Sequence, residues 1–285
     1  MTTDCQVAVI GLGLIGGSFA AALRVVRPHW SVVGFDRNEV MSQRGLADGL
    51  VNRIASSVEE AVQDADVIIL ATPVRAILDL ISRLERLTTR EAIVMDVGST
   101  KGSIADAMST LPARLQAIGG HPMTGVLTTG STQPGARLFE GQRFVLTPTS
   151  RTTPTTLDWA RRLVADFKAD VVVMEASRHD HAVALTSHLP YLISLPLLEL
   201  FAEQDEVTRS LAAGGFRTRV EAAGAHPGMW RDILLTNRAE ILQALRAYAG
   251  YLATLERDLE DASEEHLLQR LDRASAVAHS VASRG

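Results

Sequence analysis

The chain has 285 residues, 46% of them hydrophobic, enough to bury one large core or two ordinary ones. A net charge of −5 and a pI near 5.9 argue against nucleic acid or an anionic membrane surface as a main partner. A single cysteine, Cys5, excludes an internal disulfide, and no Cys/His cluster has metal-ligand spacing, so no metal is expected.

Met1-Thr2-Thr3-Asp4 lacks the basic and apolar regions of a signal peptide and runs straight into a strand, the opening of a cytoplasmic protein. Cys5, at the head of that strand, reads as a small buried apolar residue. Short β-branched runs then alternate with helical stretches across residues 1–176. Strands are expected at Gln6–Ile10, Ser31–Phe35, Val67–Ala71, Ala92–Asp96, Leu115–Ile118, Arg143–Thr147 and Asp170–Met174. Runs of this kind separated by helices predict a parallel sheet wound on both faces. Thr152-Thr153-Pro154 reads as a helix start, followed by an apolar stripe from Leu157 to Phe167.

The pattern changes after about Ala176, where strand-like runs give way to long helical ones, so residues 177–285 form a second, all-α domain. Residues 182–201 are the most apolar stretch, but His188, Pro190, Pro196 and Glu199 interrupt it. It reads as a buried helix and not as a membrane span. Breaks are expected near Gly214-Gly215 and at Ala225-His226-Pro227-Gly228. From Met229 to Leu259 the pattern Trp230, Ile233, Leu234, Asn237, Ile241, Leu245, Tyr248, Leu252 and Leu255 stays in helical phase. One helix of that length would run for more than about 40 Å, and part of its stripe is expected to pack on a second subunit.

Gly11-Leu12-Gly13-Leu14-Ile15-Gly16 follows the first strand and opens a helix. In that context the glycines permit a tight turn, a close approach to a pyrophosphate and close helix–strand packing, and the helix N-terminus favours the anion. Asp36, closing the second strand about 20 residues on, should accept the adenosine ribose hydroxyls and repel a 2′-phosphate, favouring NAD over NADP. Arg37 leaves NADP open, since a guanidinium accommodates phosphate as well as stacking on adenine or standing in solvent. Ala71-Thr72-Pro73-Val74 ends another strand on the edge where such sheets bind cofactor, or forms a structural turn there; Thr72, Pro73 and Val74 join the cofactor set.

Asp96-Val97-Gly98-Ser99-Thr100-Lys101-Gly102 follows the next strand. Its bland reading is a helix cap made by Ser99 or Thr100; its functional reading is a loop beside the nicotinamide. In Gly119-Gly120-His121-Pro122-Met123-Thr124-Gly125, His121 lies between glycines and a proline on the same sheet edge, and Gly119, Gly120 and Gly125 would let backbone and ligand come close. A neutral imidazole there can take a hydroxyl proton as hydride leaves. Thr186-Ser187-His188-Leu189-Pro190-Tyr191 places polar groups inside an apolar run, which suggests a pocket.

In the order and approximate spacing of these segments, the chain resembles the bacterial prephenate and arogenate dehydrogenases of tyrosine biosynthesis. The resemblance covers nearly the whole length. It rests on the glycine fingerprint, the Asp96–Lys101 turn, Gly120-His121-Pro122-Met123, Ser187-His188-Leu189-Pro190, Gly214-Gly215-Phe216-Arg217 and Pro227-Gly228-Met229-Trp230-Arg231-Asp232-Ile233. It implies a Rossmann-like N-terminal domain, a helical dimerisation domain, and NAD-dependent oxidative decarboxylation of prephenate or arogenate by a homodimer. His121 matches the family's catalytic histidine and Ser99 the serine that contacts the substrate hydroxyl. Ser187 and His188 match pocket residues, with Thr124 and Tyr191 beside them. Tyr191 stands where the family often has histidine, and Val126-Leu127 replace its acidic residue. Counting back from Pro227 places the family's substrate arginine at Glu221. The local Thr218-Arg219-Val220 pattern places it at Arg219, with Arg217 next, and a dianionic substrate favours arginine. The chain stops at Gly285, so the regulatory domain that some relatives append is not expected.

Two other readings stand beside this one. Reductases of similar two-domain layout that depend on a lysine in the helical half are disfavoured, because Lys101 and Lys168 are the only lysines. A silent nucleotide-sensing protein would keep the glycines without needing His121.

Overall fold

The structure, a computed structural model, describes residues 5–124 and 133–282. Gly125, Val126 and Leu127 therefore lie outside the described residues. Strand β1 (Gln6–Ile10) leads through α1 (Leu14–Val26) to β2 (Ser31–Phe35), α2 (Glu39–Ala47) and the two-residue β3 (Arg53–Ile54). Next come α3 (Val58–Val62), β4 (Val67–Leu70), α4 (Val74–Leu87), β5 (Ala92–Asp96), α5 (Gly102–Ser109) and β6 (Leu115–Pro122). Strand β7 (Arg143–Pro148), α6 (Pro154–Asp166) and β8 (Asp170–Val173) complete an eight-stranded sheet of order β3-β2-β1-β4-β5-β6-β7-β8. Thr153 caps α6 by accepting from Thr156 N, with Pro154 in the first turn, as the sequence indicates.

The expectation of a wholly parallel sheet needs one correction: β7 runs antiparallel to β6, and β8 parallel to β7. A buried run such as Phe144-Val145-Leu146 carries no mark of strand direction, because its apolar side chains are satisfied either way. β1 shows why the sheet is covered on both faces. Val7 and Val9 point into a core with Phe19, Leu23, Leu163 and Phe167, and Ala8 and Ile10 into one with Ile77, Ile81 and Ile104. Strand order reverses beside β1, between β2 and β4, the switch point at which ligands bind beyond the strands' carboxyl ends.

After β8 the described chain is helical throughout: α7 (Ala176–Val183), a π-helical turn (Ala184–His188), α8 (Leu189–Ala202), α9 (Glu206–Ser210), α10 (Gly214–Val220), a 3₁₀ turn (Glu221–Gly224), α11 (Pro227–Thr236), α12 (Arg238–Glu260) and α13 (Glu264–Ala282). The run Ala176–Ala202 is long and apolar enough in composition to cross a membrane. It is not the fully buried helix expected: within α8 only Leu189, Tyr191 and Ser194 are buried. Apolar residues make up most of α8, and few of them are buried within the single chain.

The continuous helix expected from Met229 to Leu259 also breaks, at Asn237 (φ −113°, ψ 28°). Asn237 Nδ2 donates to the Asp180 carbonyl at 2.8 Å, a tertiary bond made where the helical path is interrupted. The chain packs as two compact units, one reaching to Arg238 and the other beginning at Ala239. In the second unit α12 and α13 are joined by an Arg270–Asp258 ion pair of 2.5 Å, and Tyr251, Leu252, Leu259, Leu268 and Leu271 remain exposed.

Candidate active site

Four parallel strands (β1, β4, β5 and β6) end on one edge of the sheet, with Ile10, Leu70, Asp96 and Gly119 in register across it. At a strand spacing of about 4.8 Å, the glycine turn after β1 and His121 in β6 lie roughly 14 Å apart along that edge.

Gly11 has φ +97°, and a Cβ there would stand 2.6 Å from the Ala71 carbonyl oxygen, so only glycine makes this turn. A Cβ on Gly16 would collide with the Gly11 carbonyl, which is why α1 lies so close to β1. Gly13 borders open space and begins α1 with no side-chain cap. The first N–H groups of a helix lack intrahelical partners, so this end is built to receive an anion. Thr72 presses against Gly11, and its buried hydroxyl has no partner. Asp36 ties the turn to β2: Oδ2 accepts from Leu12 N and Oδ1 from Asn38 N, both at 2.8 Å. A carboxylate offers about four lone-pair sites, so capacity remains for ribose hydroxyls. An uncapped helix end, an orphaned hydroxyl and an available carboxylate fit a dinucleotide. Leu14 and Ile15 are half-buried, Arg37 and Pro73 are exposed, and the side chains of Leu12 and Val74 pack into the core, leaving only their backbone to face a ligand.

The bland reading of the Asp96–Gly102 turn is overturned. Neither Ser99 nor Thr100 caps α5. The N–H groups of Lys101 and Gly102 go instead to Asp180 Oδ1 and Oδ2, each at 2.7 Å, and Thr100 bonds Thr236 at 2.8 Å. Ser99 is half-buried in this turn. Lys101 turns inward, fully buried, pairing with Asp96 and donating to the Gly120 carbonyl at 2.6 Å. Burial pushes the Lys101 ammonium down and the Asp96 carboxyl up, and their mutual attraction opposes both shifts.

His121 lies within β6, which extends beyond the expected Leu115–Ile118 to Pro122. The sheet itself requires its flanking glycines: a Cβ on Gly119 would strike Thr147 Oγ1, and one on Gly120 would reach the Asp96 carbonyl at 2.8 Å. His121 Nδ1 lies 2.8 Å from His179 Nε2, and His179 Nδ1 lies 2.8 Å from Asp180 Oδ1. Burial holds the His121 pKa well below 6.5, reinforced by His179, Lys101 and His188. The ring is therefore neutral at working pH, a state that can accept a proton.

His188 sits on the π-helical turn, almost fully buried, with Nδ1 3.2 Å from Asn237 Nδ2. Burial first, then His179, lower its pKa to about 4 against the opposing pull of Asp180. Its ring meets Trp230 edge-on, and Tyr191 stacks on Trp230 with 3.6 Å between the ring centroids. Among the described residues, Trp230 Nε1 and Thr124 Oγ1 are buried without partners. Ser187 is half-buried beside His188.

Arg217 and Arg219 are not brought into this cluster. Both are exposed on α10, and Arg219 Nη1 donates to the Gly215 carbonyl at 2.6 Å. Phe216 packs on Phe201 near the end of α8, and Ala222 and Ala225 pack beside Tyr191 and Trp230, so the arginines lie on the intervening stretch. His179, Asp180, Asn237 and Trp230 complete the site without having been assigned to it from sequence. A buried His-Asp pair in helix α7 looks like a solvated polar pair until the fold places it against β6.

Comparison with known proteins bears on this arrangement. Residues 19–173 match the family model of the prephenate dehydrogenase nucleotide-binding domain, and residues 175–273 match that of the prephenate dehydrogenase dimerization domain. The chain is 31% identical over 268 residues to a prephenate dehydrogenase of Bacillus subtilis, covering 92% of this chain and 72% of that one. It superposes with a TM-score of 0.87 and 27% identity on A. aeolicus prephenate dehydrogenase in complex with hydroxyphenyl propionate and NAD+, covering 97% of this chain and 98% of that one. For Synechocystis arogenate dehydrogenase the TM-score is 0.81 at 28% identity, over 97% and 99% of the two chains. With two contiguous domain models spanning both halves, the chain belongs to the prephenate dehydrogenase family.

Proposed function

We propose that the chain catalyses NAD-dependent oxidative decarboxylation of prephenate to 4-hydroxyphenylpyruvate, a step of tyrosine biosynthesis. The observation that carries this reading is the state of His121. It is neutral, on the binding edge of the sheet, with Nδ1 engaged by His179 and Nε2 left as the ring atom open to a hydroxyl.

Bound NAD supplies the acceptor for the hydride. The chain's own groups do the rest. His121 Nε2 takes the hydroxyl proton as the ring carbon bearing it loses hydride, and the carbon–oxygen bond becomes a carbonyl. The ring carboxylate leaves as carbon dioxide, and its bonding electrons enter the ring, which becomes aromatic. The oxygen recovers a proton from His121 as the phenol forms, so no net proton is consumed. Aromatisation drives the step, and the site need only orient hydroxyl, carboxylate and transferred hydrogen. Ser99 contacts the substrate hydroxyl. Thr124, Ser187, His188 and Tyr191 line the pocket, where the orphaned Thr124 hydroxyl supports a polar ligand. Arg219, with Arg217 next, binds a substrate carboxylate. Gly11 to Gly16, Asp36, Arg37 and Thr72 to Val74 hold the dinucleotide.

Residues 1–176 form the dinucleotide-binding domain and 177–285 the substrate and dimerisation domain of a cytoplasmic homodimer. The exposed apolar residues of α12 and α13 support the dimer, and light scattering should give about twice the 30.7 kDa chain mass. Arogenate is the second reading, carried by the likeness to the Synechocystis enzyme; it differs from prephenate by an amino in place of a keto group. Steady-state NADH formation with each substrate decides between them. NADH formation with neither would overturn the assignment.

A further inference from the structure

We infer that Asp180 and His179 form a relay that fixes His121 in the tautomer with Nδ1 protonated and Nε2 free, making both of them positioning residues for the base. This rests on the reading of His121 as that base.

The donors around Asp180 fix the direction of each bond in turn. The backbone N–H groups of Lys101 and Gly102 can only donate, and they occupy one site on each Asp180 oxygen. The remaining partner of Oδ1 is His179 Nδ1 at 2.8 Å. An ionised carboxylate only accepts, so His179 Nδ1 carries the hydrogen. In a neutral ring the other nitrogen is then an acceptor, and His179 Nε2 faces His121 Nδ1 at 2.8 Å. His121 Nδ1 must therefore donate, and its Nε2 is left with a free lone pair. With Asp180 ionised and His179 neutral, the geometry selects the tautomer that can take a proton from substrate. When it does, the charge on the His121 ring is held by the His179 lone pair, itself backed by the Asp180 carboxylate. No proton needs to pass through His179. The logic is that of an acid–histidine pair behind a nucleophile, lengthened by one imidazole.

Each member is held by independent contacts. Asp180 and His179 are 5% and 1% exposed, so water does not compete for these bonds. The Asp180 carbonyl receives Asn237 Nδ2, which anchors the helix turn carrying the pair. Lys101 grips the Gly120 carbonyl next to His121, fixing the strand end from below.

The test compares His179→Gln with His179→Leu. Both leave the Asp180 bonds to α5 intact, but only glutamine keeps an acceptor for His121 Nδ1. We expect His179→Gln to retain kcat within about tenfold and His179→Leu to lose about a hundredfold or more, with KM for prephenate and the Kd for NAD little changed in either. Asp180→Asn should cost less than His179→Leu, because its amide oxygen can still accept from Lys101 N and His179 Nδ1, and only the bond from Gly102 N and the negative charge are lost. A readout independent of turnover is the ¹⁵N spectrum of the histidine rings in the free protein, assigned by the signal lost in His121→Asn. Wild type should show His121 protonated at Nδ1, and His179→Leu should shift it toward Nε2. A wild-type His121 protonated at Nε2 would overturn the relay, as would equal kcat in the glutamine and leucine variants. If the wild type oxidises neither prephenate nor arogenate, the proposed activity fails, and the ¹⁵N spectra still decide the relay.

Discussion

Asn237 donates through Nδ2 to His188 Nδ1 at 3.2 Å and to the Asp180 carbonyl at 2.8 Å, so one amide at the break between α11 and α12 serves both buried residues. An amide NH₂ cannot accept, so His188 Nδ1 is an acceptor and its Nε2 carries the hydrogen. His188 thereby becomes a hydrogen-bond donor at its free edge. Asn237→Ala strips two buried acceptors of their partner. It should lower unfolding stability by about 1–3 kcal/mol, read from the urea midpoint at unchanged m.

Both histidines with lowered pKa values make stability depend on pH in the same sense. A ring whose folded pKa lies below its unfolded value of about 6.5 binds fewer protons when folded. Its contribution is complete above pH 6.5 and is lost as pH falls. For His188, with a folded pKa of about 4, roughly 3 kcal/mol should disappear between pH 6.5 and 4. His188→Gln should flatten that part of the stability profile. The catalytic profile follows the same direction: the acid limb of kcat/KM should lie well below pH 6.5, because burial keeps His121 neutral there. His121→Asn should lower kcat by about a hundredfold or more, remove that limb and leave NAD affinity nearly unchanged. A limb at pH 6.5 or above would contradict the lowered pKa.

The Asp36 carboxylate closes β2 and is fixed by Leu12 N on one oxygen and Asn38 N on the other, and a carboxylate at the end of this strand disfavours a 2′-phosphate. NAD should therefore exceed NADP in kcat/KM by at least about tenfold, the scale of one charge-assisted contact. Asp36→Ser should narrow this ratio and also weaken NAD, since the same carboxylate holds the glycine turn. Equal kinetics with the two cofactors in the wild type would mean that exposed Arg37 governs the adenosine end.

Much of this architecture is legible in the residues. β1, β2 and β5 coincide with their apolar runs because glycine, proline or charge bounds each one. The glycine turn and His121 are legible because parallel strands bring their carboxyl ends to one edge. What could not be read has definite causes. β3 is two residues long and has no pattern. The direction of β7 leaves no trace in a run buried on both faces. The break at Asn237 falls within unbroken helical phase, and its cause is an amide reaching Asp180, 57 residues away. Ser99 and Thr100 are the local candidates to cap α5, but its first N–H groups go to Asp180, far away in sequence. Long-range polar partners have no local signature, and the deepest part of the site is made of them.

The assignment of the substrate arginine separates two alignments of one segment. Arg219 and Glu221 are two positions apart, at the end of α10 and the start of the 3₁₀ turn, so a shift of two exchanges cation for anion. Within one chain Arg219 is exposed and its Nη1 is spent on the Gly215 carbonyl, a weak solvated contact that a substrate carboxylate would replace. If Arg219 binds that carboxylate, Arg219→Ala should raise KM for prephenate by about 1.5–3 kcal/mol, roughly 10–150-fold, through loss of a charged hydrogen bond. The Kd for NAD should barely move if the cofactor is held at the glycine turn, away from α10. Glu221→Ala should be nearly silent, or tighten substrate slightly by removing a like charge. A silent Arg219→Ala with a large effect from Arg217→Ala would shift the contact by two residues along α10. If neither arginine alters KM, the carboxylate is held elsewhere, and a dianionic substrate loses its main support in this half of the chain.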